Sequence, residues 1–334
     1  MGAPIMTVDG LPLRQGDQGA AVADLHTRLF RSGMLAELPD PLDIYCEATT
    51  SAVRHFQVAR RMRADGVCSA GTWNALIESD YRLGDRLVYL QKPMMRGDDV
   101  EELQRTLGVM GFNAGRVDGI FGPDTQQALF DFQRNSGIIV DGIAGVETIA
   151  AIRRIRSHVG DYTVAAVRER ESLRRQSVLI DSSRIVIGGL SGQRALADAV
   201  GRVLRQRGAV VAVIEQPDES EQAQAANAFT ADLYLGIEVA MEPDCHIAFF
   251  SVPNYESTGG RALAETCGTK LEHTFPDDTA PVIEGLRLPV LRETKMPAIV
   301  MRLGPPRHVV ENRAAWAGAL ADAIADWLSD PERS

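Results

Sequence analysis

Asp118-Gly119-Ile120-Phe121-Gly122-Pro123-Asp124-Thr125-Gln126-Gln127-Ala128-Leu129-Phe130-Asp131-Phe132-Gln133, followed by Asp141-Gly142 and Thr148, is the stretch whose reading decides the fold. Just upstream lie Gly97, Val100, Leu103, Leu107 and Gly111. The same pattern occurs earlier as Gly19, Val22, Leu25, Leu29 and Gly33, then Thr49, Ala52, Phe56-Gln57, Asp65-Gly66 and Thr72. From Thr49 to Thr72 and from Thr125 to Thr148 the offsets are identical, which marks a duplicated structural unit. Val22, Leu25 and Leu29, like Val100, Leu103 and Leu107, fall at i, i+3 and i+7 and give one apolar stripe per helix. Gly33 and Gly111 follow at positions suited to a left-handed helix end. Pro123 fits near a helix start, and Asp124 or Thr125 can cap it. Each copy therefore reads as a small three-helix bundle, over residues 13–79 and 93–155. The first copy breaks the glycine loop, carrying Leu42-Asp43-Ile44-Tyr45-Cys46-Glu47 instead.

From Arg184 onward, strand-like and helix-like runs alternate. Ile185–Ile187, Val210–Ile214, Leu233–Val239, Ile247–Ser251 and Ala298–Leu303 read as strands. A helix through Leu196, Val200 and Leu204 and another over Arg261–Glu272 fall between them, and a last helix presents Trp316, Leu320, Ile324 and Trp327. The alternation predicts an α/β domain over 183–330 with a mixed, mostly parallel sheet. Residues 156–182 are rich in Arg and Glu and read as a solvated linker or connecting helix.

At 334 residues, 45% hydrophobic and 24% charged, the chain has the composition of a globular protein with two or three cores. Its formal net charge of -10, with no extended basic stretch, argues against nucleic acid and anionic membrane as partners. Residues 1–12 show no cationic start followed by an apolar run, and no run approaches a membrane span. Met6 stands where a myristoylation motif needs Ser or Thr. Cys46, Cys68, Cys245 and Cys267 form no CxxC cluster. Cys46 and Cys68 could pair in an exported chain, but in a reducing compartment both read as small core residues, and a cytoplasmic location is expected.

On these motifs, the two repeats resemble tandem peptidoglycan-binding domains. Their signature is nearly complete in the second copy: Gly97 to Gln104, Asp118 to Gln133, Asp141 to Thr148. In the first, His26 replaces the Gln. The resemblance implies a sugar- or peptide-binding groove in repeat 2, with Asp118, Gly119, Phe121, Gly122 and Thr125 as candidates. The competing reading is that the glycines make a tight turn and Phe121 packs inward.

The C-terminal region is similar to the zinc-dependent N-acetylmuramoyl-L-alanine amidases, which cut between muramic acid and the peptide stem. By that resemblance the zinc histidine after the first strand falls at Ser191, the glutamate ligand at Gln193 and the second histidine at Glu238. The catalytic glutamate of P-A-x-x-x-E-x-G falls at Arg302, within Pro297 to Gly304. A catalytic zinc takes three protein ligands and an open position, and a guanidinium stays protonated and cannot act as a base. The resemblance thus implies a degenerate amidase site with no metal, no cofactor and no catalytic residue. It also implies that Glu238 and Arg302 face each other, where opposite charges are expected to pair. Asp244, Cys245 and His246 suggest a relocated metal site. Successive strand residues point to opposite faces, so a structural His246 is favoured. His26, His55, His158, His273 and His308 lack the helical i, i+4 pairing of metal ligands.

Taken whole, two repeats followed by such a domain resemble the actinobacterial CwlM group, to which Tyr81-Arg82-Leu83-Gly84 and Gly97-Asp98-Asp99-Val100 fit well. The resemblance implies a cytoplasmic regulator of peptidoglycan precursor synthesis whose partner is the UDP-N-acetylglucosamine enolpyruvyl transferase, with a soluble precursor as a further possible ligand. Members of that group can carry a phosphorylated tail, and this sequence ends at Ser334 soon after its last predicted helix. Two rival readings are a zinc-dependent amidase with atypical ligands and an exported peptidoglycan-binding module.

Overall fold

The computed structural model describes residues 10–156, 169, 171, 173, 179–190, 194–242, 244–253, 255–272 and 280–330. The chain divides into two compact units, residues 1–165 and 166–334. In the first unit the helices are α1 (Ala20–Arg31), α2 (Glu47–Ala59), α3 (Ala70–Ser79), α4 (Asp98–Val109), α5 (Pro123–Asn135) and α6 (Val146–Arg156). Repeat 1 closes over Val22, Leu25, Leu29, Phe56, Trp73 and Leu76, and repeat 2 over Val100, Leu103, Leu107, Phe121, Leu129 and Phe132. The i, i+3, i+7 stripes are the buried helix faces, as the spacing requires. Short antiparallel bridges tie each bundle at matching places: Leu13 to Cys68 and Val88 to Ala144, Gln18 to Ile44 and Arg96 to Ile120.

The glycines of the Asp-Gly turns are demanded by geometry. Gly66, Gly119 and Gly142 have φ of 73°, 71° and 69°, the left-handed region in which a side chain is strained. At Gly142 a Cβ would also lie 2.7 Å from the Phe130 ring.

The second unit comprises β1 (Arg184–Gly189), α7 (Arg194–Gln206), β2 (Val210–Glu215), α8 (Glu219–Ala228), β3 (Leu233–Val239), β4 (Asp244–Val252), β5 (Tyr255–Glu256), α9 (Thr258–Leu271), β6 (Val282–Leu286), α10 (Pro289–Glu293), β7 (Ala298–Gly304), α11 (Pro306–Glu311) and α12 (Arg313–Ser329). The sheet runs β2-β1-β3-β7-β4-β5, with β6 also paired to β4. β2, β1, β3 and β7 are mutually parallel, while β4 runs antiparallel to β7. The mixed, mostly parallel α/β sheet expected from the alternation is present. Leu233, Leu235 and Ile237 of β3, Ile299, Met301 and Leu303 of β7 and Cys245, Ile247 and Phe249 of β4 share one core with residues of α7, α9 and α12, including Trp316 and Trp327. Residues of the other parity (Tyr234, Glu238, Arg302, Asp244, His246) therefore occupy the opposite face.

The reading of 156–182 as solvated needs correction where the chain is described. Leu173 is buried in the α/β core. The Glu169 carboxylate accepts hydrogen bonds from the Tyr255 and Ser257 hydroxyls and from the Thr258 amide. These residues are anchored because a carboxylate so placed caps the start of α9 and balances the helix dipole. Residues 157–168 lie outside the described residues.

Candidate functional site

Repeat 2 is organised by one buried glutamine on α4. Gln104 Nε2 donates to Asp118 Oδ1 (2.9 Å), the Ile120 carbonyl (3.0 Å) and Thr125 Oγ1 (3.1 Å), while its Oε1 accepts from the Asp118 and Gly119 amides. Asp118 Oδ1 also accepts from the Ile120 amide, and Thr125 Oγ1 donates to the Ala114 carbonyl. Phe121 is fully buried. Four of the five residues expected at a groove are thus committed to closing the fold. Gly122 supplies the N-cap backbone of α5. Of the two readings of this loop, the inward packing of Phe121 is the one observed for that residue, so its ring is not open to a ligand.

The same device recurs three more times. Gln133 clamps Asp141, Gly142, Ile143 and Thr148, and Gln57 clamps Asp65, Gly66, Val67 and Thr72. In the fourth place His26 stands in for glutamine. Its Nδ1 lies 2.6 Å from the Leu42 carbonyl and its Nε2 2.6 Å from Thr49 Oγ1. An imidazole, with a ring nitrogen at each end, spans the same gap, which is how repeat 1 closes without the glycine loop. Each repeat is therefore itself two half-units, each closed by a Gln or His, a turn and a Thr.

The Gly97-Asp98-Asp99-Val100 and Tyr81–Gly84 segments owe their pattern to the junction between the repeats. Arg60, at the end of α2, grips Asp98 at the start of α4 through two bonds of 2.7 and 2.6 Å. Arg86 holds the fully buried Asp99 by Nε (2.7 Å) and Nη2 (3.0 Å), and its guanidinium sits 3.6 Å from the Tyr81 ring centroid. Both contacts are of the bidentate Arg–carboxylate kind that fixes orientation.

In the α/β unit a row of charged side chains crosses the sheet on the face away from the large core. In register, Glu238 of β3 neighbours Arg302 of β7, and Arg302 neighbours His246 of β4. The pairing of Arg302 with Glu238 does not form. Arg302 Nε turns instead to Asp244 Oδ2 at 3.1 Å. Asp244 Oδ1 lies 3.3 Å from His246 Nε2, and His246 Nδ1 lies 3.0 Å from Glu284 Oε1 on β6. Asp244 is only 14% exposed, so its attraction for Arg302 is screened less than that of a fully exposed pair. Sequence reasoning named Asp244 only as a metal candidate, not as the partner of Arg302, and missed Glu284. Asp244 was findable, since residues two apart on a strand share a face. Glu284 sits on a strand that no periodicity announced.

These side chains do not suit a catalytic zinc. One carboxylate, Glu238, stands beside a guanidinium, and among the described residues no three His, Cys, Asp or Glu side chains are grouped to hold a metal. Ser191 and Gln193 lie outside the described residues. The relocated site fails for the reason expected: Cys245 is buried in the opposite core, where burial foremost, helped by Asp244, pushes its thiol up to about 12, while His246 faces the other way. Cys68 and Cys267 are likewise buried. Cys46 departs from the core reading: it is half-buried at the N-cap of α2, and a hydrogen bond with Thr49 lowers its thiol pKa.

The architecture is that of two peptidoglycan-binding-type bundles followed by an α/β domain. Residues 18–76 and 96–152 match the peptidoglycan binding domain family. The chain is a homologue of CwlM: it is 29% identical over 360 residues to "N-acetylmuramoyl-L-alanine amidase CwlM" of Mycobacterium tuberculosis, covering 96% of this chain and 88% of that protein. It is also 26% identical over 166 residues to "N-acetylmuramoyl-L-alanine amidase CwlL" of Bacillus licheniformis, covering 44% of this chain and 46% of that one. Among solved structures, the amidase Ami1 of Mycobacterium smegmatis overlays with a TM-score of 0.39 at 14% identity, covering 45% of this chain and 99% of that chain.

Proposed function

We propose that the protein is a non-catalytic, cytoplasmic regulator of peptidoglycan precursor synthesis that works by contact with a biosynthetic enzyme, the UDP-N-acetylglucosamine enolpyruvyl transferase. The observation that carries the reading is the charged row at the amidase-like position. Arg302 stands where the resemblance puts a general base, and its guanidinium is engaged by Asp244. A guanidinium stays protonated and cannot take a proton from water at that position. Four free cysteines, three of them buried, suit a reducing compartment. Phe121 turned into the core of repeat 2, under a loop closed on Gln104, supports protein contact over a groove of the expected kind.

Titration of the purified chain into purified enolpyruvyl transferase is expected to give a stable complex and a changed rate of enolpyruvyl transfer. The reading fails if the two do not associate at tens of micromolar, or if the chain carries one equivalent of zinc and releases peptide from muropeptide. The second outcome would establish the other reading, an amidase with atypical ligands, which the names of the relatives favour.

A further inference from the structure

β2 is the outermost strand on its side of the sheet, pairing only with β1 among the described residues. It reads Val210-Val211-Ala212-Val213-Ile214-Glu215, five apolar residues without the Pro, Lys or bulge by which strand edges are usually protected. Backbone direction alternates along it. The Val210 amide donates inward to the Ser183 carbonyl, so the backbone groups of Val211 and Val213 point outward. The Val211 carbonyl confirms the direction, because it accepts from Arg205 Nη2 of the neighbouring helix α7 at 2.9 Å. Val211 and Val213 pack their side chains against the large core.

The charge beside this edge is biased. On the same stretch, Arg194 is paired with Asp198 and Glu215, and Arg207 with Asp322. Arg202 and Arg205 have no carboxylate partner among the described residues and are exposed. With Asp198 and Gln206 they line a surface cavity of about 440 Å³. Two guanidinium groups without a carboxylate partner beside this strand edge favour an acidic occupant locally, although the chain as a whole carries -10.

We infer that the outer edge of β2 takes up an additional strand from an extended acidic segment of a partner protein, bonded to the Val211 amide and to the Val213 amide and carbonyl, with carboxylates on Arg202 and on the guanidinium nitrogens of Arg205 that Val211 does not use. This is strand addition, in which main-chain bonds supply affinity and flanking charges supply choice. The inference stands whether or not the α/β domain is catalytic.

The test is amide hydrogen exchange on the full chain with a ten-residue peptide of alternating valine and glutamate as the probe. In the free protein Val211 and Val213 amides should exchange fast beside slow Val210, Ala212 and Ile214. The probe should slow the first two by at least about tenfold, and R202E/R205E should abolish the slowing. V213P, which removes only an outward donor, should abolish it too; if that variant does not fold, the charge reversal decides alone. The inference is overturned if the probe gives no slowing, or if a valine–lysine peptide protects equally. It is also overturned if Val211 and Val213 are already protected in the free chain, with dependence on protein concentration then identifying a second copy as occupant.

Discussion

Gln104→Leu separates a closing role from a binding role for the Asp118–Thr125 loop. The side chain is 2% exposed and reaches five partners. Leucine keeps the volume and removes every polar contact. Asp118 Oδ1 keeps its bond from the Ile120 amide, and Thr125 keeps its bond to Ala114, so these two add little. The Asp118 and Gly119 amides lose an acceptor and the Ile120 carbonyl loses a donor. At about 1 kcal/mol for each such net loss, the cost is about 3 kcal/mol, or about 150-fold in the local opening equilibrium. Hydrogen exchange of the segment around residues 112–126 reads this directly, with repeat 1 as an internal control that should not change. A cost below about 1 kcal/mol, accompanied by loss of muropeptide binding, would refute the clamp and restore the groove.

Three further outcomes follow from the same geometry. Phe121→Ala should destabilise repeat 2 by about 3–5 kcal/mol, because the ring is fully buried, and denaturant unfolding will show whether this residue acts through folding alone. Asp99→Asn should cost about 3–5 kcal/mol by leaving Arg86 without its buried partner, with a loss in chemical unfolding that added salt does not remove; a salt-sensitive loss below 1 kcal/mol would show the pair to be a surface one. Thiol titration of the native chain should find one reactive cysteine. Thiolate grows as pH rises through the pKa, so Cys46, lowered by Thr49, reacts first, while burial holds Cys68, Cys245 and Cys267 near about 12; four thiols should appear only on unfolding, and two or more fast ones would contradict the burial.

The duplicated bundles were legible because helix stripes and turn glycines are local signals. The clamps were not, although their Gln, Asp, Gly and Thr were the matching positions. A sequence match tells which residues recur and leaves open whether they face a ligand or one another. The parallel strands were legible as apolar runs, whereas β6 escaped because it is short and half exposed: Val282 and Ile283 are 47% and 37% exposed. At the amidase-like position the substitution of Arg302 could be read directly. Its contact with Asp244 could not, because which side chains meet across β4 and β7 is decided by the assembled sheet.

The half-unit clamps also leave the outside of these bundles out of the closure. From clamp residue to aspartate the chain runs 8 positions at Gln57 and Gln133 but 14 at Gln104, so the span in between is a length the closure does not measure. Histidine at position 26 shows that even the closing residue is exchangeable, provided both of its ends are met. Architecture of this kind uncouples heritable shape from surface chemistry: lineages can redraw what the bundle touches while inheriting the frame unaltered.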